Sequence, residues 1–543
     1  MRADADMSMS MKPATSGILS VSELIHVKPR IIAQLGPLGV SGGACAVFLL
    51  ILIPLIQYYF GPALYIFKGA IAKRIRRWEY CFRGPSIIKD GFEKSNGEPY
   101  EVTTPDTRYV FVSSRKHIEE IDQAPDDVLS LRAASKHMLQ PKYTMHGFSW
   151  HEKRKVGGVV FERTLRTHLT SNLQSVMPEL GRIFGARFDL QQSELPMIKG
   201  QKKSKVYPMM KEMVVLVNAH AFFGEELGRN EHFLVSARHF VEQVVLGAEP
   251  LRLIPQWLVP IAGGVMSYFL KCDKEVYKAM LPVIEQRLRE NDLKNLGHKV
   301  LTHMDCIQWT IESLPKQSPW TAERIIWELM AIWFGSVHSI SVTATYAIHD
   351  LCLHREYLEP LREELDAHYD EFLTTGHGLP LLDSFLKESA RMLPVETMST
   401  RRSALKPFMF SDGTKLNVND WTCTPVSAIT ANASLYPDPT QFSGFRFADP
   451  ALFEGKSIAQ ARATQLTPSL LVDANSTWQM WGTGKMACPG RYYAVSTLKM
   501  IVGHVIKNYD CELVNPDAKR VHIWRSTNLP RSDTEVVFKP REY

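Results

Sequence analysis

The sequence WGTGKMACPGR occupies residues 481–491, near the C-terminal end of the 543-residue chain. Two glycines, a cysteine and a Pro-Gly step precede the periodic run RYYAVSTLKM, which predicts a tight loop leading into a helix. Backbone N–H groups at a helix N-terminus favour a thiolate, so this loop would present the sulfur of Cys488 as a metal ligand. A buried cysteine that packs as a small apolar side chain is the alternative interpretation.

This loop resembles the haem-ligand loop of the cytochrome P450 superfamily, which has the pattern Phe-x-x-Gly-x-Arg/His-x-Cys-x-Gly. Trp481 stands at the aromatic position, Gly484 and Gly490 stand at the glycines, and Cys488 stands at the axial thiolate. Met486 occupies the position of the family's Arg or His, which hydrogen-bonds a haem propionate, so that charge must come from another residue. The resemblance implies haem b bound through Cys488, O2 as oxidant, and electrons that arrive from NADPH through a reductase.

The composition restricts the class of protein. With 45% hydrophobic residues the chain can bury a large core, and a net charge of +6 is too small and dispersed to indicate nucleic-acid binding. Such a mild positive excess suits an acidic redox partner or lipid head groups. The eight cysteines include no Cys-x-x-Cys pair, which argues against a zinc site or a disulfide framework and favours a reducing compartment.

The N-terminal region contains a long apolar run. Residues 1–38 lack a clear pattern and predict a poorly ordered tail, whereas residues 39–67 carry no charge and predict a single transmembrane anchor. More basic residues follow this span than precede it, so the positive-inside rule places residues 68–543 in the cytoplasm. The expected membrane is that of the endoplasmic reticulum. A helix buried in the domain core is the alternative.

Short β-prone runs follow the anchor. Residues 99–103 and 108–113 predict two strands, and residues 116–123 predict a helix. This stretch resembles the first sheet of the P450 family. Long helical periodicity then dominates, so we expect a mainly α fold with a small β subdomain behind an N-terminal transmembrane helix. The resemblance implies that this is the cytochrome P450 fold.

Residues 162–176 are amphipathic and predict one helix. Arg166 lies in a pattern similar to the family's helix whose arginine reaches a haem propionate. The family's tryptophan is missing, because Glu162 stands four residues before Arg166. Trp150 and Arg154 do have that spacing, but the glycines nearby favour a loop. We therefore expect Arg166 to contact the cofactor, and a solvated helix arginine is the alternative.

Residues 318–319 cap a predicted apolar helix that contains FGSVHSIS at 334–341. This run resembles the family's oxygen-activating signature, Ala/Gly-Gly-x-Asp/Glu-Thr-Thr. By that resemblance His338 replaces the acid, Ser339 replaces the catalytic threonine, and Ile340 has no hydroxyl. A histidine at the acid position is typical of fungal secondary-metabolism members. Simple packing of buried, satisfied polar groups is the alternative.

Three charged residues predict a buried ion trio. Glu388 and Arg391 form an E-x-x-R pair one helical turn apart, and the family completes a trio with a later arginine, which here is Arg446. A buried triad is unfavourable unless every member is paired, so we expect either all three residues or none of them to belong to such a trio. Arg402 resembles the propionate-binding arginine that follows E-x-x-R, and Arg401 is its competitor.

These patterns occur in the family's order along the C-terminal part of the chain. The chain most resembles fungal membrane-bound oxidases of terpenoid and related pathways, such as ent-kaurene oxidases. The resemblance implies a monooxygenase that hydroxylates, or oxidises in several steps, a hydrophobic terpenoid secondary metabolite with electrons from NADPH-cytochrome P450 reductase. One alternative keeps the haem-thiolate site but catalyses rearrangement, ring formation or dehydration without net oxygen insertion. Another, a non-catalytic membrane protein, is disfavoured by the intact Cys488.

Overall fold

A computed structural model of the chain describes residues 68–151, 159–198, 200–315, 319–453 and 467–542. The predicted tail and transmembrane anchor, residues 1–67, lie outside this part of the chain. Residues 72–543 form one compact unit, and the fold described below is that of this unit.

The described part of the chain is mainly helical. Its α-helices are α1 (Lys68–Ser95), α2 (Arg115–Gln123), α3 (Leu131–Leu139), α4 (Pro141–Thr144), α5 (Val160–Arg163), α6 (Leu173–Glu194), α7 (Val206–Gly228), α8 (Glu231–Leu253), α9 (Val259–Phe269), α10 (Cys272–Asn295), α11 (Cys306–Glu312), α12 (Ala322–Leu353), α13 (Leu358–Thr375), α14 (Pro380–Met392), α15 (Val426–Thr430) and α16 (Arg491–Asn508).

The strands are short. They are β1 (Tyr100–Thr103), β2 (Arg108–Phe111), β3 (Leu129–Ser130), β4 (Met197–Ile198), β5 (Gln201–Lys202), β6 (Ser204–Lys205), β7 (Ser399–Ala404), β8 (Phe408–Met409), β9 (Lys415–Leu416), β10 (Trp421–Thr424), β11 (Tyr509–Leu513), β12 (Val521–Trp524), β13 (Thr527–Pro530) and β14 (Glu535–Pro540).

The largest sheet has the strand order β1-β2-β10-β7-β3. Strands β1 and β2 form an antiparallel hairpin, as expected for residues 99–103 and 108–113, and β10 runs parallel to β2. The stacked rings of Tyr109 and Trp421, 5.3 Å apart, join these two parallel strands in the core. A three-stranded sheet of order β11-β14-β6 lies further along the chain. Small sheets beside many helices confirm the predicted fold class.

Helix α12 is the central helix of the core. It packs against α7, α10 and α16, and buried side chains such as Trp333 lie along it. Among the described helices it alone is long and apolar enough to cross a membrane by composition, but 61% of its most apolar window is buried inside the protein. Its N-cap is Thr321, whose hydroxyl accepts a hydrogen bond from the Arg324 N–H. The predicted cap at 318–319 is therefore too early.

The single helix predicted over residues 162–176 is broken. Helix α5 continues into a π-helical segment, Thr164–Leu169, and α6 begins only at Leu173. Two threonine hydroxyls compete for backbone carbonyls here: Thr164 donates to Val160 and Thr170 donates to Leu165, each at 3.1 Å. Such side-chain bonds accompany widened helical turns, which amphipathic spacing alone does not reveal.

Candidate functional site

The predicted loop at residues 481–491 is closed by backbone and side-chain hydrogen bonds. The Cys488 N–H donates to the Trp481 carbonyl at 2.7 Å, and the Trp481 indole donates to the Leu471 carbonyl at 2.6 Å. Gly482 and Gly484 have φ of +76° and +57°, a region that favours glycine. The loop therefore presents Cys488 from a fixed backbone position.

Burial governs the chemistry of the free Cys488 thiol. Helix α16 begins three residues later, and the backbone N–H groups of Gly490 and Arg491 favour the thiolate, as the sequence predicted. Burial is the larger effect and raises the pKa of Cys488 above that of an ordinary thiol. Helix geometry alone therefore does not provide a thiolate, whereas coordination to a metal cation would.

Helix α2 supports the cysteine loop through Asp122. The Thr483 hydroxyl donates to the Asp122 carboxylate at 2.9 Å, and Lys485 donates to the Ala124 carbonyl at 3.2 Å. A Cβ at Gly484 would lie 2.6 Å from the same Asp122 carboxylate, so only glycine fits there. Asp122 cannot be recognised from the sequence, since a lone aspartate in the last turn of a helix carries no recognisable pattern.

Arg402 is a buried cation with an incomplete set of partners. Its Nη1 donates to the Arg401 carbonyl at 2.9 Å, whereas its Nη2 lies 3.6 Å from Asp122 and makes no hydrogen bond with any described residue. Burial lowers the pKa of Arg402. The competitor Arg401 is instead engaged by Glu396, at 3.7 Å. Arg402 thus keeps one buried guanidinium nitrogen for an anion.

An irregularity in strand β7 accompanies the position of Arg402. Thr400 has a φ of +50°, which is a rare conformation for a β-branched residue. The register between β10 and β7 shifts at this point, between Thr422 and Thr424. The Thr400 hydroxyl lies 3.5 Å from that of Thr483 in the cysteine loop. A register shift of this kind is a β-bulge, and bulges change the direction in which side chains point. This bulge lies where β7 contacts the cysteine loop.

Arg166 is exposed and contacts the cysteine loop from outside. Its Nη2 donates to the carbonyl of Ala487, the residue before Cys488, at 3.2 Å. Arg166 and Arg491 help line an open depression of about 470 Å³. The rival Arg154 lies outside the described residues.

The middle of α12 borders open space although the helix is central. Gly335 is exposed, and a Cβ placed there would meet no atom within 4 Å. Ser339 lies one turn later on the same face, and its hydroxyl donates to the Gly335 carbonyl at 3.0 Å. Ile340 is buried. Of the two residues that align with the family's threonine pair, Ser339 therefore borders this space and Ile340 does not.

His338 points toward another helix. Its Nδ1 lies 3.4 Å from the Tyr207 hydroxyl on α7. Burial lowers the pKa of His338, so the imidazole is neutral at physiological pH. His338 and Ser339 are adjacent in the motif but have different neighbours. His338 contacts Tyr207, whereas the Ser339 hydroxyl bonds the Gly335 carbonyl.

Glu388, Arg391 and Arg446 lie together in a buried network. The Glu388 carboxylate accepts hydrogen bonds from Arg391 Nε at 2.7 Å and Arg391 Nη2 at 2.8 Å. It also accepts one from Arg446 Nε at 3.0 Å. The Ser443 N–H also donates to Glu388, at 2.8 Å. Both arginines donate to backbone carbonyls as well, among them that of Gln441. Each charge in the trio is therefore both paired and hydrogen-bonded.

These features fit a haem. Cys488 offers a soft sulfur donor, Arg402 offers a buried cationic nitrogen for a propionate, and Gly335 borders space that side chains leave open.

Comparisons with known proteins agree with this fit. A family model described as Cytochrome P450 matches residues 89–532. Cytochrome P450 monooxygenase 151 of Postia placenta is 26% identical over 84% of this chain and 89% of its own length. Cytochrome P450 monooxygenase olcJ of Penicillium canescens is 26% identical over 88% of this chain and 89% of its own length.

The fold is also similar to a solved structure. Retinoic acid bound cyanobacterial CYP120A1 has a TM-score of 0.60 at 14% identity, with coverage of 85% of this chain and 97% of that chain. The chain therefore belongs to the cytochrome P450 family of haem-thiolate monooxygenases.

Proposed function

We propose that this chain binds haem b through Cys488 and oxidises a hydrophobic secondary metabolite of the terpenoid class, by hydroxylation or multistep oxidation. The observation that carries the proposal is the closed loop that holds Cys488 in place through the Trp481 carbonyl. When bound, haem supplies the oxidation chemistry, which an axial thiolate promotes by donating electron density to the iron. Electrons would come from NADPH through NADPH-cytochrome P450 reductase.

The chain's own residues hold and orient the cofactor. Arg402 would bind a propionate through its Nη2, which makes no hydrogen bond with any described residue, and so supply the charge that Met486 lacks. Arg166 is the second candidate cation, since its guanidinium already contacts the carbonyl next to Cys488. Trp481 would help to hold the loop in place through its carbonyl and its indole, and Gly490 would leave room for close approach, since a Cβ there would meet no atom nearer than 3.9 Å.

Ser339 and His338 would help to deliver protons to the open space beside α12. Ser339 keeps a hydroxyl at the open space beside α12, where its proton-bearing oxygen is already oriented by the Gly335 carbonyl. His338 is neutral because of its burial, so it has one nitrogen that donates and one that accepts.

We also propose a single-pass anchor at residues 39–67 in the endoplasmic reticulum membrane, with the catalytic unit in the cytoplasm. Support comes from helix α9, where Ile261, Val265 and Tyr268 share one face and are 67%, 56% and 77% exposed. Trp257, just before this helix, is 73% exposed. A large exposed apolar face is typical of contact with a membrane.

The anchor is tested in microsomes that contain the full chain. Protease added outside intact vesicles should digest the catalytic unit, and carbonate washing should leave the chain in the pellet. A protected catalytic unit would contradict the proposed orientation, and release by carbonate would contradict a spanning anchor.

Activity is tested by reconstituting the full chain with NADPH-cytochrome P450 reductase. We expect NADPH and O2 to be consumed, and extracts of cells that express the chain to gain oxygenated terpenoids that cells without it lack. A product that is isomeric with its precursor, formed without NADPH, would instead support rearrangement. Oxygenated products of another chemical class would contradict the terpenoid assignment alone.

A further inference from the structure

Lys387 is a buried lysine on α14, one residue before Glu388 of the ion trio. Its side chain is 2% exposed, and its ammonium lies 4.6 Å from the centre of the Phe447 ring and 4.8 Å from that of Trp478. Burial lowers the pKa of Lys387 to about 8. Burying a lysine is unfavourable unless other groups bind its ammonium, as these two aromatic faces do.

The Lys387 ammonium also binds the segment 469–473. It donates a hydrogen bond to the Ser469 hydroxyl at 2.9 Å and another to the Leu470 carbonyl at 2.8 Å. The Asp473 carboxylate lies 3.5 Å away and forms an ion pair with it. A single ammonium therefore contacts both ends of this segment.

A second charged side chain of α14 holds the same segment. Asp383, one turn earlier in the helix, accepts a hydrogen bond from the Leu471 N–H at 2.7 Å and forms an ion pair with Lys499 of α16 at 2.7 Å. Arg491, at the start of α16, donates to the Val472 carbonyl at 2.9 Å. Charged side chains of two helices thus fix the segment.

The segment is connected to the cysteine loop through one carbonyl. The Leu471 carbonyl accepts the indole N–H of Trp478 at 3.2 Å and that of Trp481 at 2.6 Å. The Trp481 carbonyl in turn accepts the Cys488 N–H at 2.7 Å. Trp478 is also one of the two rings that face the Lys387 ammonium. A continuous series of direct contacts therefore joins Lys387 to the cysteine.

We propose that Lys387 is a positioning residue for the haem thiolate, because it fixes the segment whose Leu471 carbonyl holds Trp481. The role rests on the proposed function. Without the ammonium, the Leu471 carbonyl and the Trp481 indole would be held less firmly, and so would the Cys488 backbone. A loosely held thiolate takes up a proton from water more readily, and the resulting thiol is no longer the form that ligates a metal.

The first test follows the thiolate-type Soret band of the reduced carbon monoxide complex over time at pH 7. In Lys387→Met the band should be lost at least about tenfold faster, as expected when hydrogen bonds from a charged group are removed. Lys274→Met is the matched control, because the half-buried Lys274 donates to the Ser267 carbonyl at 2.9 Å and lies 6.0 Å from the Tyr268 ring. Equal rates in the two variants would overturn the inference.

The second test uses a pH profile to distinguish positioning from packing. Because the pKa of Lys387 is about 8, loss of the band should accelerate in the wild type with a midpoint near pH 8, and Lys387→Met should lack this step. Asp473→Asn removes a carboxylate that raises the pKa of Lys387, so its midpoint should move to lower pH. Asp473 is 33% exposed, so this variant decides the question even if Lys387→Met does not fold. An unchanged midpoint in Asp473→Asn would mean that Lys387 only packs.

The inference and the proposed function fail in different ways. A wild type with no thiolate-type band at any pH would contradict the proposed haem site, and with it a positioning role for Lys387. A wild type that shows the band, together with variants in which its loss is unchanged, would contradict the role of Lys387 alone.

Discussion

The Thr483 hydroxyl donates a 2.9 Å hydrogen bond to the Asp122 carboxylate and so joins the cysteine loop to helix α2 across 361 residues of sequence. Burial raises the pKa of Asp122, but Thr483 and the nearby Arg402 stabilise its charged form. One carboxylate therefore touches both the loop and the buried cation. The position of the Cys488 sulfur should therefore depend on the hydrogen bond between Thr483 and Asp122.

We expect Thr483→Val to loosen the loop and speed haem loss. A hydrogen bond to a charged group contributes about 1.5–3 kcal/mol, which corresponds to at least about a tenfold faster transfer of haem to apomyoglobin. Thr414→Val is the matched control, because Thr414 donates a 3.0 Å hydrogen bond to Asp412 at an exposed position. Equal transfer rates for the two variants would contradict a role of Asp122 in holding the loop.

Glu388→Gln should destabilise the protein strongly. The substitution leaves Arg391 and Arg446 without a buried counter-charge, and breaking a buried pair in this way costs about 3–5 kcal/mol. Glu93→Gln breaks an exposed pair with Lys89 and should cost about 0–1 kcal/mol. Urea unfolding at neutral pH measures both. Similar midpoints for the two variants would mean that the trio contributes little to stability.

His349 should make the protein sensitive to acid. Burial lowers its pKa to about 3, and neither ring nitrogen has a partner among the described residues. The unfolded chain binds a proton at this residue below about pH 6.5, whereas the folded chain does not until about pH 3, so stability falls as the pH drops through this window. At pH 5 the loss is about 2 kcal/mol.

The variant His349→Leu removes the imidazole and with it this contribution to the pH dependence of stability. On moving from pH 7 to pH 5, the variant should lose about 2 kcal/mol less unfolding free energy than the wild type. Burial raises the pKa of the neighbouring Asp350 to about 7, which acts in the opposite direction but is common to both proteins. His368→Leu, at an exposed position, is the control. Parallel pH profiles for wild type and His349→Leu would show that His349 takes up its proton in the folded state.

Ser339→Ala should leave haem binding intact and divert reducing equivalents to hydrogen peroxide. The hydroxyl of Ser339 borders the open space at Gly335, and losing such a group typically reduces acid–base assistance by about a hundredfold or more. Product per NADPH should then fall at least several-fold, and Ser339→Thr should retain most of it. Simultaneous measurement of NADPH, peroxide and product decides the matter. Unchanged coupling in Ser339→Ala would make Ser339 a packing residue.

Local patterns in the sequence were enough to predict the cysteine loop, strands β1 and β2, and helix α2. These features depend on neighbours a few residues away, through turn geometry, alternation and capping. The contacts of Asp122 with Thr483 and of Tyr207 with His338 were missed, because 361 and 131 residues separate the partners. The π-helical segment Thr164–Leu169 was missed because its apolar spacing still matches an α-helix.

The most direct measurement is the absorption spectrum of the reduced protein with carbon monoxide in wild type and Cys488→Ser. The wild type should show the Soret band of a thiolate-ligated haem, and Cys488→Ser should lose it. Cys272→Ser, at a half-buried cysteine away from the loop, should keep the band. If the thiolate band survives in Cys488→Ser, Cys488 is not the axial ligand and the proposed site is wrong.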